Sequence, residues 1–270
     1  MKKFILKNWF NTVLFCLVAI VVSFGIYNII HVLLTHIHAE QRLAETIGRI
    51  IASLGILIFY KTYFEIESFG LKGENFLKGI GIGGFMLFAT LNNLASALLE
   101  VAEYPAVSPS LYLIIIVIIE QIFVGVLEEF LVRGLVLNVL LAKIQNDRFK
   151  GKMEAVILSS LFFGAIHLLN LFSAPWMLNA TIAQVFYATF IGVFLGVLYL
   201  RTNNIWVVVF FHAIYDIVSE LPVIFHEIPA QQMVDISVSD AIITAVFSFI
   251  FALVGLFLAR KWRDTGTSAC

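Results

Sequence analysis

The chain has 270 residues, 61% of them hydrophobic and 13% charged, with a formal net charge of -1 and a mean hydropathy of +0.98. Soluble domains are closer to half apolar and a quarter charged, so that class is excluded. The near-neutral balance also argues against a basic surface for nucleic acid.

Apolar runs of about 20 residues can cross a bilayer, and without period-two alternation they do so as helices. The expected fold class is therefore an all-α polytopic membrane protein, read as one transmembrane domain over residues 1–270. Eight candidate spans follow in chain order, at about 10–34, 46–64, 76–100, 110–142, 154–173, 180–200, 205–226 and 240–260.

The start MKKFILKNWF resembles a signal peptide, but the apolar run outlasts a signal core and lacks a small-residue cleavage site, so it counts as the first span. Cys16 lies in that run and Cys270 is the last residue, which excludes a disulfide framework. The tail TSAC has no cysteine four residues from its end and is not a prenylation box. The second span is the weakest, pinched by Arg49 and Lys61. The third opens on GIGIGGF, where Gly79, Gly81, Gly83 and Gly84 predict close helix approach or a kink. The fourth is too long for one upright crossing and must tilt, kink or protrude.

Basic residues predict the orientation. Lys2, Lys3 and Lys7 precede the first span, and Lys61, Lys72 and Lys78 surround the second loop. Lys143, Arg148, Lys150 and Lys152 crowd the fourth loop, while Arg201 follows the sixth span and Arg260, Lys261 and Arg263 follow the eighth. The alternate loops carry Glu100 and Glu103, no charge, or Glu220, Glu227, Asp235 and Asp240. Both termini are expected on the cytoplasmic side of the cell membrane. Arg42 and Arg49, offset by Glu40 and Glu45, are the exception.

The fourth span reads VIIEQIFVGVLEEFLVRG, with Glu128, Glu129 and Arg133 at bilayer depth. Ionisable groups there are costly and mark a functional site by default. The fifth span carries His167 in SSLFFGAIHLLN, and the seventh carries His212 and Asp216 one turn apart in WVVVFFHAIYDIV. Glu128 lies 15 positions from Lys143, His167 lies 15 from Lys152, and Asp216 lies 15 from Arg201. At about 1.5 Å per residue, each sits roughly 22 Å from its basic marker. Three spans thus bring these groups to one level.

Two chemistries suit this set. Histidines and a carboxylate (His167, His212 and Asp216) can hold a divalent metal such as zinc while a glutamate acts as base. Alternatively, a glutamate alone takes a proton from water while imidazoles stabilise the oxyanion. The i,i+4 spacing favours a Glu129–Arg133 ion pair, leaving Glu128 on another face for chemistry.

EEFLVRG (Glu128–Gly134), FGAIH (Phe163–His167) and HAIYD (His212–Asp216) resemble, in order, the three motifs of the CPBP or Abi intramembrane proteases. That family groups type II CaaX prenyl endopeptidases with bacteriocin-processing and immunity proteins. The resemblance covers a core of about 110–217, and TNNIWVVVFFHA is also similar to the family's approach to its third motif. It implies Glu128 as water-activating base, support from Glu129, Arg133 and Phe163, histidine roles for His167 and His212, and an oxyanion or ligand role at Asp216. Many members carry asparagine at that last position. An ionised aspartate only accepts hydrogen bonds, which favours ligation or orientation of His212. The implied function is cleavage of a lipidated or amphipathic peptide or precursor at the membrane, in bacteriocin or signal-peptide maturation or in self-immunity.

Rival readings are a proton-coupled transporter and a non-catalytic immunity or sensor protein. Neither half-to-half repeat nor paired interrupted helices favour the transporter. Among other polar residues, Glu120 is expected in a helix–helix hydrogen bond, His36 and His38 at a solvated surface, and His226 at the interface. The 26 phenylalanines are mainly lipid-facing bulk.

Overall fold

A computed structural model describes residues 2–103, 108–146, 148–226 and 235–264. Glu227 and Cys270 lie outside the described residues. Regular structure among those described is entirely helical. Eight helices are long and apolar enough to cross a membrane: Trp9–His36, Gln41–Tyr63, Gly84–Glu103, Leu111–Ile144, Phe149–Ser173, Leu178–Thr202, Ile205–Phe225 and Val238–Ala259. They are numbered here as the first to eighth spans. The protein is a polytopic membrane protein.

Side-chain caps start most of these helices by satisfying otherwise unpaired backbone N–H groups. Glu40 accepts from the N–H groups of Arg42 and Leu43, Ser110 from Leu113, Asn204 from Trp206 and Ser237 from Asp240. Asn203, in the left-handed region at φ 47°, ends the sixth span, and Asn204 at once caps the seventh. The pair in TNNIW is therefore a tight helix-to-helix turn.

The sixth span is the most enclosed, with 61% of its central window buried, and it packs on the fifth and eighth. The seventh packs on the fourth and third, and the second joins the first to the fourth. Lys143 donates to the Leu6 carbonyl (2.9 Å) and Lys152 sits over the Trp262 ring. Both chain ends and the fourth loop therefore meet at one end of the bundle.

Three details differ from expectation. The second span begins at Gln41 rather than near 46, because Arg42 and Arg49 point inward to acidic partners and do not interrupt it. The expected third span is broken: Phe76–Ile82 is a short helix ending at Gly83, and the crossing begins at Gly84. A Cβ at Gly83 would lie 2.3 Å from the Phe211 ring, so only glycine admits that contact. The long fourth span crosses by changing its winding, with Phe130–Leu137 forming a wide π-helical stretch. That stretch disturbs the carbonyl ladder, and the Asn138 side chain repairs it by donating to the Gly134 carbonyl (2.8 Å) and the Tyr199 hydroxyl (2.9 Å).

His36 and His38 are exposed, as expected. Cys16 is a buried free thiol.

Candidate active site

The fourth span delivers two acids where its α-helical part ends, and the π stretch follows immediately. Glu129 and Arg133 are buried, 0% and 1% exposed, and Arg133 Nη1 donates to Glu129 Oε1 at 2.9 Å. A buried guanidinium without its carboxylate would be strongly destabilising. Arg133 is further held over the Phe163 ring at 4.5 Å and donates to the Gly192 carbonyl at 3.4 Å.

Phe163 is the hub between the fifth and seventh spans. Its ring meets His167 edge-on at 5.2 Å and His212 at 5.9 Å. Gly164 lets this stretch close on the sixth span, since a Cβ there would fall 2.0 Å from the Thr189 hydroxyl. His167 begins a short 3-10 turn, His167–Leu169, that tightens the helix end.

His212 joins three carboxylates. Its Nδ1 lies 2.7 Å from Glu129 Oε1, its Nε2 lies 3.2 Å from Asp216 Oδ2, and Nε2 lies 3.6 Å from Glu128 Oε2. An ionised carboxylate can only accept, so Nδ1 donates to Glu129. Nε2 then faces two further carboxylates, and a proton shared there removes the repulsion. Glu128 Oε2 and Glu129 Oε2 are buried oxygens with no hydrogen-bond partner among the described residues. Such orphans are uncommon and call for an explanation.

The space beside Glu128 is a cavity of about 480 Å3, walled by Glu128, Phe163, His167, His212 and Asp216 together with Tyr187 and Tyr215. Of the residues expected at the site, Glu128, Glu129, Arg133, His212 and Asp216 form one contact network. Phe163 and His167 pack against it, and His167 reaches the cavity with no hydrogen bond to the acids. Among the described residues, no three His, Cys, Asp or Glu side chains are disposed to hold a metal ion. The expected set His167, His212 and Asp216 is thus not assembled as ligands: His212 is engaged at both nitrogens, and His167 stands against Phe163.

Sequence reasoning missed several wall residues. Asn170 and Gln184 are hydrogen-bonded at 2.8 Å, and Arg49 and Glu120 line the same cavity. Gln184 inside an apolar span was the available signal. Glu120 belongs to an ion-pair cluster: Arg42 pairs with it, Arg49 Nη1 lies 3.3 Å from it, and Arg49 Nη2 lies 3.1 Å from Glu45. The expected helix–helix contact of Glu120 is therefore ionic.

A helical bundle enclosing acids and imidazoles at membrane depth defines the class: a polytopic membrane protein with a buried acid–base site. Residues 110–218 match the family model described as type II CAAX prenyl endopeptidase Rce1-like, so this segment is similar to that family. The family supports an intramembrane endopeptidase in general, with a peptide substrate at the membrane. No curated protein matches the chain, and no solved structure does.

Proposed function

We propose that the cavity hydrolyses a peptide bond of a lipidated or amphipathic peptide through water activated by Glu128. The observation that carries this reading is Glu128 itself, whose carboxylate keeps 13% exposure on the cavity wall while its buried Oε2 has no hydrogen-bond partner among the described residues. Glu128 takes a proton from water as the oxygen attacks the substrate carbonyl carbon. The oxyanion that forms accepts a hydrogen bond from His167, while His212, engaged at both nitrogens, stays with the acids. The C–N bond then breaks, and Glu128 returns its proton to the leaving nitrogen, giving a carboxylic acid and an amine.

Glu129, fixed by Arg133, holds the His212 tautomer, and Asp216 orients the other ring nitrogen. Phe163 sets the spacing of the two imidazoles. Loops rich in lysine and arginine favour both termini at the cytoplasmic face of the cell membrane. Precursors of bacteriocins or signalling peptides are the proposed substrates, with maturation or self-immunity as the outcome.

The test uses protein purified in detergent and a panel of lipidated and amphipathic peptides followed by mass spectrometry. Wild type should cleave at least one, and Glu128→Gln should not. Undiminished cleavage by that variant overturns the mechanism. Activity lost to a chelator and restored by zinc would overturn the metal-free form of it.

A further inference from the structure

A second cavity, about 760 Å3, adjoins the first. Arg49, Val124, Glu128, His167 and Asn170 wall both, so Glu128 borders open volume on two sides. The second cavity runs outward between the first span, at Val21 and Gly25, and the end of the fifth, at Phe172. Val21 is 68% and Phe172 87% exposed, so its far end reaches the lipid-facing surface. The first span packs on the second and the fifth on the sixth, which leaves the gap between first and fifth open.

Cleaving a bond within a chain requires room for that chain on both flanks of the reacting carbonyl. One chamber beside Glu128 holds His212 and Asp216, and the other leads away from them. We infer that the second cavity is a substrate subsite holding the stretch on one side of the cleaved bond, and that this stretch is an extended, uncharged, amphipathic peptide segment. The inference rests on the peptidase reading of Glu128.

The walls specify that chemistry. Val21 and Phe172 offer an apolar side. Asn28 and Gln41 each donate one amide N–H internally, to the Phe24 carbonyl and to Glu45, and each keeps an amide oxygen that can accept from a backbone N–H. Away from Glu128, at the shared wall, the charged groups here are matched among themselves. Arg49 and Glu45 are 3.1 Å apart and His31 and Glu45 3.9 Å, so no surplus charge awaits an ionic side chain. Burying an unpaired charge there would be unfavourable.

The experiment takes a peptide from the panel that wild type cleaves, shortens it stepwise from each end, and compares Gly25→Trp with wild type. A Cβ at Gly25 meets nothing within 4 Å, so the indole can fill the cavity without displacing backbone. Gly55→Trp, at another glycine with open space around it and outside this cavity, controls for adding a bulky ring. Gly25→Trp should raise KM about tenfold or more for the full peptide with kcat nearly unchanged, the signature of lost ground-state binding. The peptide trimmed on the affected flank should be cleaved alike by both proteins. Lysine or glutamate placed in that flank should raise the wild-type KM by a similar factor.

Equal KM values for the full peptide, or equal losses on full and trimmed peptides, would overturn the subsite. A gain from either charged residue would overturn its uncharged character. A wild type that cleaves nothing strikes the peptidase reading itself, a result separable from any of these.

Discussion

Two clusters of charge lie within the membrane-spanning helices, and they are built differently. In the cluster centred on the second and fourth spans, Arg42 and Arg49 face Glu45, Glu120 and Glu220, so each of these acids has a guanidinium. In the motif cluster, Arg133 pairs with Glu129, and the His212 ring is shared among Glu128, Glu129 and Asp216. The first arrangement gives each acid an arginine and ties helices together. Among the described residues the second leaves an oxygen of Glu128 and one of Glu129 without a hydrogen bond, with Glu128 on a cavity wall, which is a poor way to hold helices and a good way to hold a reactive base.

Breaking the motif cluster should have the larger consequences. Glu128→Gln keeps shape and removes the base, so peptide cleavage should fall about 100- to 10,000-fold, with abundance and thermal unfolding in detergent unchanged. Arg133→Met strands Glu129, and unfolding in detergent should show a loss of about 3–5 kcal/mol. A near-normal unfolding curve would mean that the buried pair is not the anchor described here.

In the balanced cluster, Arg49→Met leaves Arg42 to serve Glu120, and about 1–3 kcal/mol should be lost. Replacing Arg49 and Glu45 together by methionine should recover much of that, because Glu120 keeps Arg42 and an apolar pair of similar volume needs no compensation. The same double replacement logic applied to Arg133 and Glu129 would restore stability but not cleavage. That contrast sharpens the distinction between the clusters.

The smallest effect lies outside both, where Asp235 accepts from the N–H groups of Asn179 and Ala180 at 2.8 Å and caps the sixth span from a distant loop. Partial desolvation would push its carboxyl up, but the N–H groups of Ala180, Asn179 and Ile236 outweigh it and hold the carboxyl below the ordinary aspartate range. A depressed folded value means that the cap stabilises the fold above the unfolded pKa of about 3.9 and is lost as pH falls through the lower folded value. Asp235→Asn should flatten this acid-side dependence of thermal unfolding and do little at neutral pH.

Local rules explain what could be read in advance. Glu129 and Arg133 share a helix, so their pairing follows from spacing, as does the proximity of His212 to Asp216. The constant helical rise placed Glu128 and Asp216 at one level, and both prove to be within reach of the same imidazole. The partners of Arg42 and Arg49 were illegible because Glu120 lies 78 and 71 residues away, and helix adjacency is a tertiary property. Those arginines therefore read as loop charges spoiling an orientation rule. The break at Gly83 was foreshadowed by four glycines, whereas nothing in FLVRGLVL announces a change of winding, which depends on backbone carbonyls rather than side-chain pattern. His167 reaches the cavity that Glu128 lines, but nothing in SSLFFGAIHLLN announces the 3-10 turn His167–Leu169 that carries it there.

The widened stretch Phe130–Leu137 makes the fourth helix sensitive to length in a way its neighbours are not. Each residue of an ordinary helix turns the chain by about 100°. A π turn already holds about one residue more than an α turn. Deleting one residue between Glu129 and Asn138 would let the coil relax to regular pitch with its two halves near their present bearing, whereas one further residue would turn the glutamates by about 100°, toward the acyl chains. Point substitutions along this stretch preserve that phasing, but a single-codon insertion there would empty the pocket of its acids at one stroke.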